Sequence, residues 1–243
     1  MLRPLLSSLL AIGLASSAFF APAQALQRFT ESGKVGYRNT AGVVVVAPQY
    51  EAGSDFFEGY AVVVSGRMRG FIDATGKEIT PLHFEDAGPF QEGLAAVRYA
   101  GRYGYINTRG EWVVQPIYET AFALHDGLGR VSKGGLWGFV NALGVNIVPC
   151  RYAKALDFQH GLAPVQDGER WGYVGTDGKV KIPIQYASAT EFNPRGEARV
   201  SLALKSLLRL VIDTNGKVIR EEELFTEQRR EQLERGGEHE ESD

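Results

Sequence analysis

The sequence has little of what disulfide-stabilised, metal-binding or catalytic proteins usually contain. Its one cysteine, Cys150, excludes a disulfide within the chain. The formal net charge is only −3, which argues against a nucleic-acid partner. The four histidines lack the spacing of a zinc site, and the sequence contains no serine-nucleophile elbow, zinc-protease helix or phosphate-binding glycine loop. We therefore predict no metal, no cofactor and no catalytic residue.

Long apolar runs are also missing, except at the start of the chain. Arg3 precedes an apolar stretch from Leu5 to Phe20, and small residues end the segment at Ala25. This layout predicts a signal peptide over residues 1–25, cleaved after Ala25. A membrane anchor is the alternative, but the stretch is shorter than the roughly 20 residues that a bilayer requires. We expect an exported protein, periplasmic or extracellular, with no membrane span after cleavage.

What the sequence does contain is an internal repeat of 34 residues. In five units a first glycine precedes an aromatic residue, and a second glycine follows six residues later. The first glycines are Gly36, Gly70, Gly104, Gly138 and Gly172, and the second are Gly42, Gly76, Gly110, Gly144 and Gly178. A sixth, worn unit keeps its second glycine, Gly216, but has Leu210 in place of the first.

The repeat divides the mature chain into six units and a tail. The units lie near residues 26–56, 57–90, 91–124, 125–158, 159–192 and 193–224. Residues 225–243 belong to a strongly acidic end, for which we predict a short helix followed by disorder.

Each unit is predicted to form three short antiparallel strands. Glycines and prolines punctuate every unit, so the two-helix repeats that share this period are excluded. An Asn or Asp followed three residues later by the second glycine is typical of a type I turn between the second and third strands. A proline after the third strand, such as Pro116, is expected to end it.

One such unit cannot bury its own faces, so the units are expected to stack and share a core. The short, small and apolar first strands favour the innermost position in a blade, and hence an all-β, β-propeller-like arrangement. An open β-solenoid or superhelical array is the alternative.

The repeat resembles the WG repeat family, also called KWG repeats, which is named for a Trp-Gly pair. The pair is intact at Trp137-Gly138 and Trp171-Gly172, and the flanking phrase Phe-x-Glu-Gly-Leu-Ala-x-Val is matched from Phe90 to Val97. The resemblance spans nearly the whole mature chain and implies an all-β repeat scaffold. It implies no shared activity and no catalytic residues.

Four residues are candidates for a binding role. Trp112 stands at a position that no other unit fills with an aromatic residue, and Arg69 replaces the family tryptophan. Trp137 and Trp171 occupy the framework position, where packing competes with ligand binding.

The sequence leaves three hypotheses for function. The first is an exported, non-enzymatic scaffold that binds a protein or an envelope glycan. The second is a hydrolase or lyase of envelope polymers, with two carboxylates meeting in a cleft without any sequence motif. The third is a purely structural protein, for which no surface patch would depart from the average.

Overall fold

The computed structural model describes residues 26–203 and 208–223. The predicted signal peptide (1–25) and acidic tail (225–243) lie outside these residues. The described residues form 23 β-strands in six consecutive antiparallel sheets. Within the described ranges no helix has the length and apolar character to cross a membrane.

The sheets follow one another in chain order. Sheet 1 contains β1 (Gln27–Glu31), β2 (Lys34–Arg38) and β3 (Val44–Tyr50). Sheet 2 contains β4 (Ala52–Gly53), β5 (Tyr60–Ser65), β6 (Met68–Asp73) and β7 (Glu78–Phe84). Sheet 3 contains β8 (Asp86–Ala87), β9 (Leu94–Tyr99), β10 (Arg102–Asn107) and β11 (Trp112–Tyr118). Sheet 4 contains β12 (Thr120–His125), β13 (Leu128–Lys133), β14 (Leu136–Asn141) and β15 (Asn146–Tyr152). Sheet 5 contains β16 (Lys154–Ala155), β17 (Leu162–Asp167), β18 (Arg170–Gly175) and β19 (Val180–Tyr186). Sheet 6 contains β20 (Ser188–Ala189), β21 (Ala198–Ser201), β22 (Leu208–Ile212) and β23 (Val218–Glu223).

The connection between units contributes a fourth strand to sheets 2 to 6, so the prediction of three strands per unit was incomplete. In sheet 3, for example, Ala87 of β8 pairs with Val97 of β9. The connecting strand lies at the edge of its sheet and the first predicted strand lies beside it. The first predicted strand was expected at the innermost edge of a blade, but the connecting strand takes the edge position beside it.

In the first five units the third strand continues through its proline, contrary to the prediction that the proline ends it. In sheet 3, Tyr103 pairs with Tyr118 and Tyr105 pairs with Val114, which marks a bulge around Pro116. Because the third strand is an edge strand, the missing proline donor costs no ladder hydrogen bond.

This bulge explains the first glycine of each unit. A Cβ atom on any of the five first glycines would lie less than 3 Å from backbone atoms of the third strand. In the sixth unit Leu210 pairs directly with Glu221, and no register shift occurs at this point. The sixth unit, which lacks the first glycine, thus has a third strand that pairs without a bulge at this position.

The predicted turns between the second and third strands are present. The Asn141 carboxamide oxygen accepts hydrogen bonds from the backbone N–H groups of Leu143 (3.0 Å) and Val145 (2.9 Å). Gly144 closes the turn with a φ of +79°, a conformation that glycine adopts without steric cost.

Consecutive sheets bury a shared core, as the repeat predicted. Between sheets 3 and 4, Tyr105 of β10 packs against Val131 and Val140 of sheet 4, and all three side chains are fully buried. Within the described residues, the strands of different sheets that pack most extensively against one another belong to neighbouring sheets. The predicted all-β, propeller-like repeat array is thus confirmed.

The two ends of the array differ from its interior. Arg38 of sheet 1 stands where the later units place the buried residues Ile72 and Ile106. At the other end, Arg220 pairs with Val211 as Ile182 pairs with Tyr173 in sheet 5, and its guanidinium binds Glu197 at 2.8 and 3.0 Å. Charged groups at these positions give the outer sheets a polar face, as terminal repeats require.

Candidate binding cleft between sheets 3 and 4

A cleft of about 480 Å³ opens between sheets 3 and 4. Small residues line it on both sides: Ala87, Gly88 and Ala96 from sheet 3 and its connection, and Ala121 and Ala123 from β12. Because these side chains fill little space, the two sheets leave room between their edges. Ala87 and Ala121 are small at a position that is small throughout the repeat, so the cleft depends on Gly88, Ala96 and Ala123, which are specific to this interface.

One end of the cleft carries a polar cluster. The Tyr103 hydroxyl donates a hydrogen bond to Asp86 Oδ2 (2.7 Å), and Arg69 Nη1 of sheet 2 lies 3.5 Å from Asp86 Oδ1. Arg69 also donates to the carbonyl oxygen of Glu85. Burial, reinforced by the bond to Asp86, raises the pKa of Tyr103. The phenol therefore stays neutral and keeps its proton directed at the carboxylate.

The other end of the cleft is aromatic. Phe122 of β12 lines the cleft and is 39% exposed. Away from the cleft, its ring lies 4.1 Å from the Arg130 guanidinium carbon, and the Trp137 ring lies 5.1 Å from that carbon. Arg130 also forms an ion pair with Asp157 (Nε–Oδ1 2.8 Å) and donates to the carbonyl oxygen of Ala155 (Nη1–O 2.7 Å). The tryptophan side chain thus helps to hold a partly buried arginine.

The repeat itself shows why this interface is open. Arg130 and Asp157 occupy the interface between sheets 4 and 5, and the residues one repeat earlier are Ala96 and Ala123. Both alanines line the cleft. Phe122, which covers Arg130, corresponds to Gly88 one repeat earlier.

The same arginine position is filled between sheets 1 and 2. Arg28 donates to the carbonyl oxygen of Gly53 (2.9 Å) and lies 3.8 Å from Asp55. Gly53, Ala121 and Ala155 are equivalent in the repeat. The cleft thus corresponds to an arginine site that two other interfaces fill from within the chain.

Trp112 belongs to an aromatic patch on sheets 2 and 3. Its ring contacts Phe84 edge-on (5.9 Å between centroids) and lies 6.3 Å from Tyr99. His83 lies 4.0 Å from Phe84 and 5.7 Å from Tyr99, and its Nδ1 is buried without a hydrogen-bond partner. Tyr99 is 46% exposed. Trp112, which the repeat does not require, is half-buried against the core between sheets 2 and 3, beside a histidine and a tyrosine.

The structure does not place all four predicted binding residues together. Arg69 reaches the cleft through Asp86, and Trp137 is separated from it by Phe122. Trp112 lies in the aromatic patch on sheets 2 and 3. Trp171 packs against the core between sheets 5 and 6, at a distance from the cleft, and its surroundings are those of a framework residue.

The sequence analysis missed the residues that create the cleft. Aligning the repeat units would have indicated the cleft, because Ala96 and Ala123 stand where Arg130 and Asp157 stand one unit later. Asp86 likewise has no acidic counterpart at the equivalent positions of the other units.

A second, more open cleft of about 560 Å³ lies between sheets 5 and 6. Its lining includes His160, Lys181 and Asp177, and Lys181 Nζ forms an ion pair with Asp177 (2.9 Å). The lysine stem crosses the fifth turn where Gly175 replaces the usual Asn or Asp, and a Cβ there would lie 2.6 Å from Lys181 Cε. Each of the two clefts holds one carboxylate, and each carboxylate faces a basic side chain.

Cys150 lies half-buried beside the core between sheets 3 and 4. Burial raises the pKa of its thiol, which keeps it protonated at neutral pH. This environment is that of a packing residue.

Comparison with known proteins identifies the repeat. The family model for the WG containing repeat matches residues 36–66, 70–103, 103–137, 137–171 and 171–202. Comparison with curated proteins returned no match.

Solved structures similar to the chain include several proteins of low identity. A Hsv2 structure from Kluyveromyces lactis is 15% identical over 68% of this chain and 60% of that chain (TM-score 0.44). BamB from Moraxella catarrhalis is 11% identical over 82% and 73% (TM-score 0.41). A eukaryotic initiation factor is 11% identical over 81% and 62% (TM-score 0.49). The chain spans about three fifths of the length of the Hsv2 structure. Likeness at these scores carries no information about ligand or activity.

Proposed function

Since this chain belongs to the WG repeat family, we propose that it is an exported, non-enzymatic scaffold that binds another protein or a component of the cell envelope. The array supplies a rigid series of sheets, and the cleft between sheets 3 and 4 supplies the contact. Export rests on the signal-peptide pattern of residues 1–25.

The cleft is the observation that carries this proposal. A repeat that only had to stack would keep its interfaces filled, as the Arg130–Asp157 pair does between sheets 4 and 5. At one interface the chain instead places alanines and adds Asp86. Trp112 and Tyr99 add further non-repeat side chains on sheet 3. This concentration in sheets 2 to 4 supports a binding role over a purely structural one.

The hydrolase hypothesis receives no comparable support. Acid–base cleavage of a glycoside needs two carboxyl groups roughly 5–10 Å apart in one cleft. The lining of the cleft between sheets 3 and 4 has Asp86 as its carboxylate, and that of the cleft between sheets 5 and 6 has Asp177. Two carboxylates, Glu191 and Glu197, do line one pocket at sheet 6, but its volume of about 30 Å³ is too small for a sugar ring, and Arg220 binds Glu197 (2.8 Å).

The proposal is tested by blocking the cleft. The double variant Ala96→Arg/Ala123→Asp copies the Arg130–Asp157 pair into the cleft. Its control is Leu143→Arg/Val145→Asp, which adds the same charges at exposed sites of sheet 4 (81% and 51% exposed). Wild type and both variants are immobilised, incubated with an envelope fraction and, in parallel, applied to a glycan array.

We expect a defined protein or glycan to be retained by wild type and by the control, and to be lost from the cleft variant. Retention that is equal on all three proteins would place binding elsewhere. Failure of wild type to retain any component in either assay would contradict the binding role itself.

A further inference from the structure

We propose that the cleft between sheets 3 and 4 receives an arginine side chain of a partner protein. This inference rests on the proposed binding function and specifies its ligand. The partner's guanidinium would occupy the position that Arg130 fills between sheets 4 and 5, and that Arg28 fills between sheets 1 and 2.

The shape of the cleft is the first argument. The residue pairs Ala96 and Arg130, Ala123 and Asp157, and Gly88 and Phe122 are each one repeat apart. All three small members line the cleft. The cleft therefore lies, relative to sheets 3 and 4, where Phe122, Arg130 and Asp157 lie relative to sheets 4 and 5.

The hydrogen-bonding groups are the second argument. Both internal arginines donate to a backbone carbonyl at one repeat position, Gly53 for Arg28 and Ala155 for Arg130. In the cleft that position is Ala121. A guanidinium presents five N–H donors in a planar fork, so it can reach this carbonyl and a carboxylate together.

The charge and the rings are the third argument. Asp86 is the one charged residue in the described lining, and its side chain is 44% exposed. Its contacts with Tyr103, Arg69 and the Ala87 N–H (3.0 Å) leave acceptor capacity, since a carboxylate offers about four lone-pair directions. The Tyr103 and Phe122 rings lie in the same lining, and aromatic faces attract a guanidinium.

The test uses short peptides as probes. Acetyl-Gly-Arg-Gly-amide is titrated into ¹⁵N-labelled mature protein, and peptides with citrulline or norleucine in place of arginine are the controls. We expect millimolar binding of the arginine peptide, with shifts at the amides of Gly88, Ala121 and Ala123. Citrulline keeps the shape but not the charge, so it should bind roughly tenfold more weakly.

Three variants of the protein sharpen the result. Ala123→Asp restores the carboxylate that accompanies Arg130 and should tighten arginine binding roughly threefold or more. Asp86→Asn should weaken it. Ala96→Arg/Ala123→Asp fills the cleft and should abolish the shifts. A strand-type circular-dichroism spectrum checks that each variant is folded. If the double variant does not fold, the two single variants still test the inference.

Each outcome bears on the inference. Equal binding of the arginine and norleucine peptides, weaker binding by Ala123→Asp, or no shift at the cleft amides would overturn it. If the envelope partner is lost from the cleft variant while the arginine peptide fails to bind, the binding function stands and the arginine assignment falls.

Discussion

The first glycine of each unit offers a sharp test of the bulged third strand. A Cβ atom on Gly172 would lie 2.7 Å from the carbonyl oxygen of Ile182 and 2.8 Å from Cα of Ile184. Both are backbone atoms, so a rotamer change cannot relieve the overlap. The strand would have to withdraw by about 0.6 Å to reach an ordinary contact, and overpacking of this kind costs roughly 1–3 kcal/mol.

We therefore expect Gly172→Ala to lower the free energy of unfolding by roughly 1–3 kcal/mol. For a chain of this size the melting temperature should fall by roughly 2–4 °C per kcal/mol. Gly88→Ala is the matched control, because its Cβ would lie 3.7 Å from its nearest neighbour, Ala96 O, and its φ is not positive. That variant should be neutral or more stable by up to about 1 kcal/mol, through the unfolded chain.

Urea unfolding followed by circular dichroism and by tryptophan fluorescence provides the measurement. Both probes are needed, because a repeat array can lose cooperativity and leave a single free energy undefined. A Gly172→Ala protein as stable as wild type, or a Gly88→Ala protein equally destabilised, would refute the steric explanation of the conserved spacing between glycine and bulge.

Further predictions concern charge, pH and export. Arg130→Ala should lower the free energy of unfolding in urea by about 3 kcal/mol, because it leaves Asp157, only 24% exposed, without its partner. Arg28→Ala should lower it by less than about 1 kcal/mol, since the Arg28–Asp55 pair is exposed and its atoms are 3.8 Å apart. Backbone N–H groups of the next hairpin, assisted by an arginine, lower the pKa of Glu119. The contribution of Glu119 to the free energy of unfolding is therefore present above its unfolded pKa of roughly 4 and should be lost as the pH falls below that value. Burial raises the pKa of Tyr37 to about 12, so the stability of its neutral phenol is full below about pH 10 and should be lost as the pH rises toward 12. Urea midpoints from pH 3 to 12 test both directions, and a flat profile at either end would count against the corresponding group. Intact-mass analysis of secreted protein should give a chain that starts after Ala25, and an uncleaved chain would contradict the signal-peptide prediction.

Local rules account for most of what the sequence predicted correctly. The turn at Asn141–Gly144 depends on one carboxamide and one positive φ, both of which are set by residue type. The stacking of the units follows from a repeat that cannot enclose its own apolar residues. Such features need no knowledge of distant neighbours.

The errors came from interactions between segments. The connecting strand Asp86–Ala87 is only two residues long, so it leaves no alternating pattern to detect. Pro116 was expected to end its strand because that rule assumes a paired donor, whereas an edge strand with a bulge does not need one.

The cleft was missed for a different reason. It arises from side chains that are absent, and alanines at positions 96 and 123 attract no notice in a search for reactive residues. Alignment of the six units against one another reveals them, because two other units place arginine and aspartate there. Comparison within the chain thus supplies information that a motif search does not.

The central claim is that partners bind at the cleft between sheets 3 and 4. Hydrogen–deuterium exchange of the protein, alone and with its captured partner, tests this most directly. We expect added protection in β8, β9 and β12, and unchanged exchange in sheets 1 and 6. Protection confined to the outer faces of sheets 1 and 6, with the cleft strands unaffected, would contradict the claim.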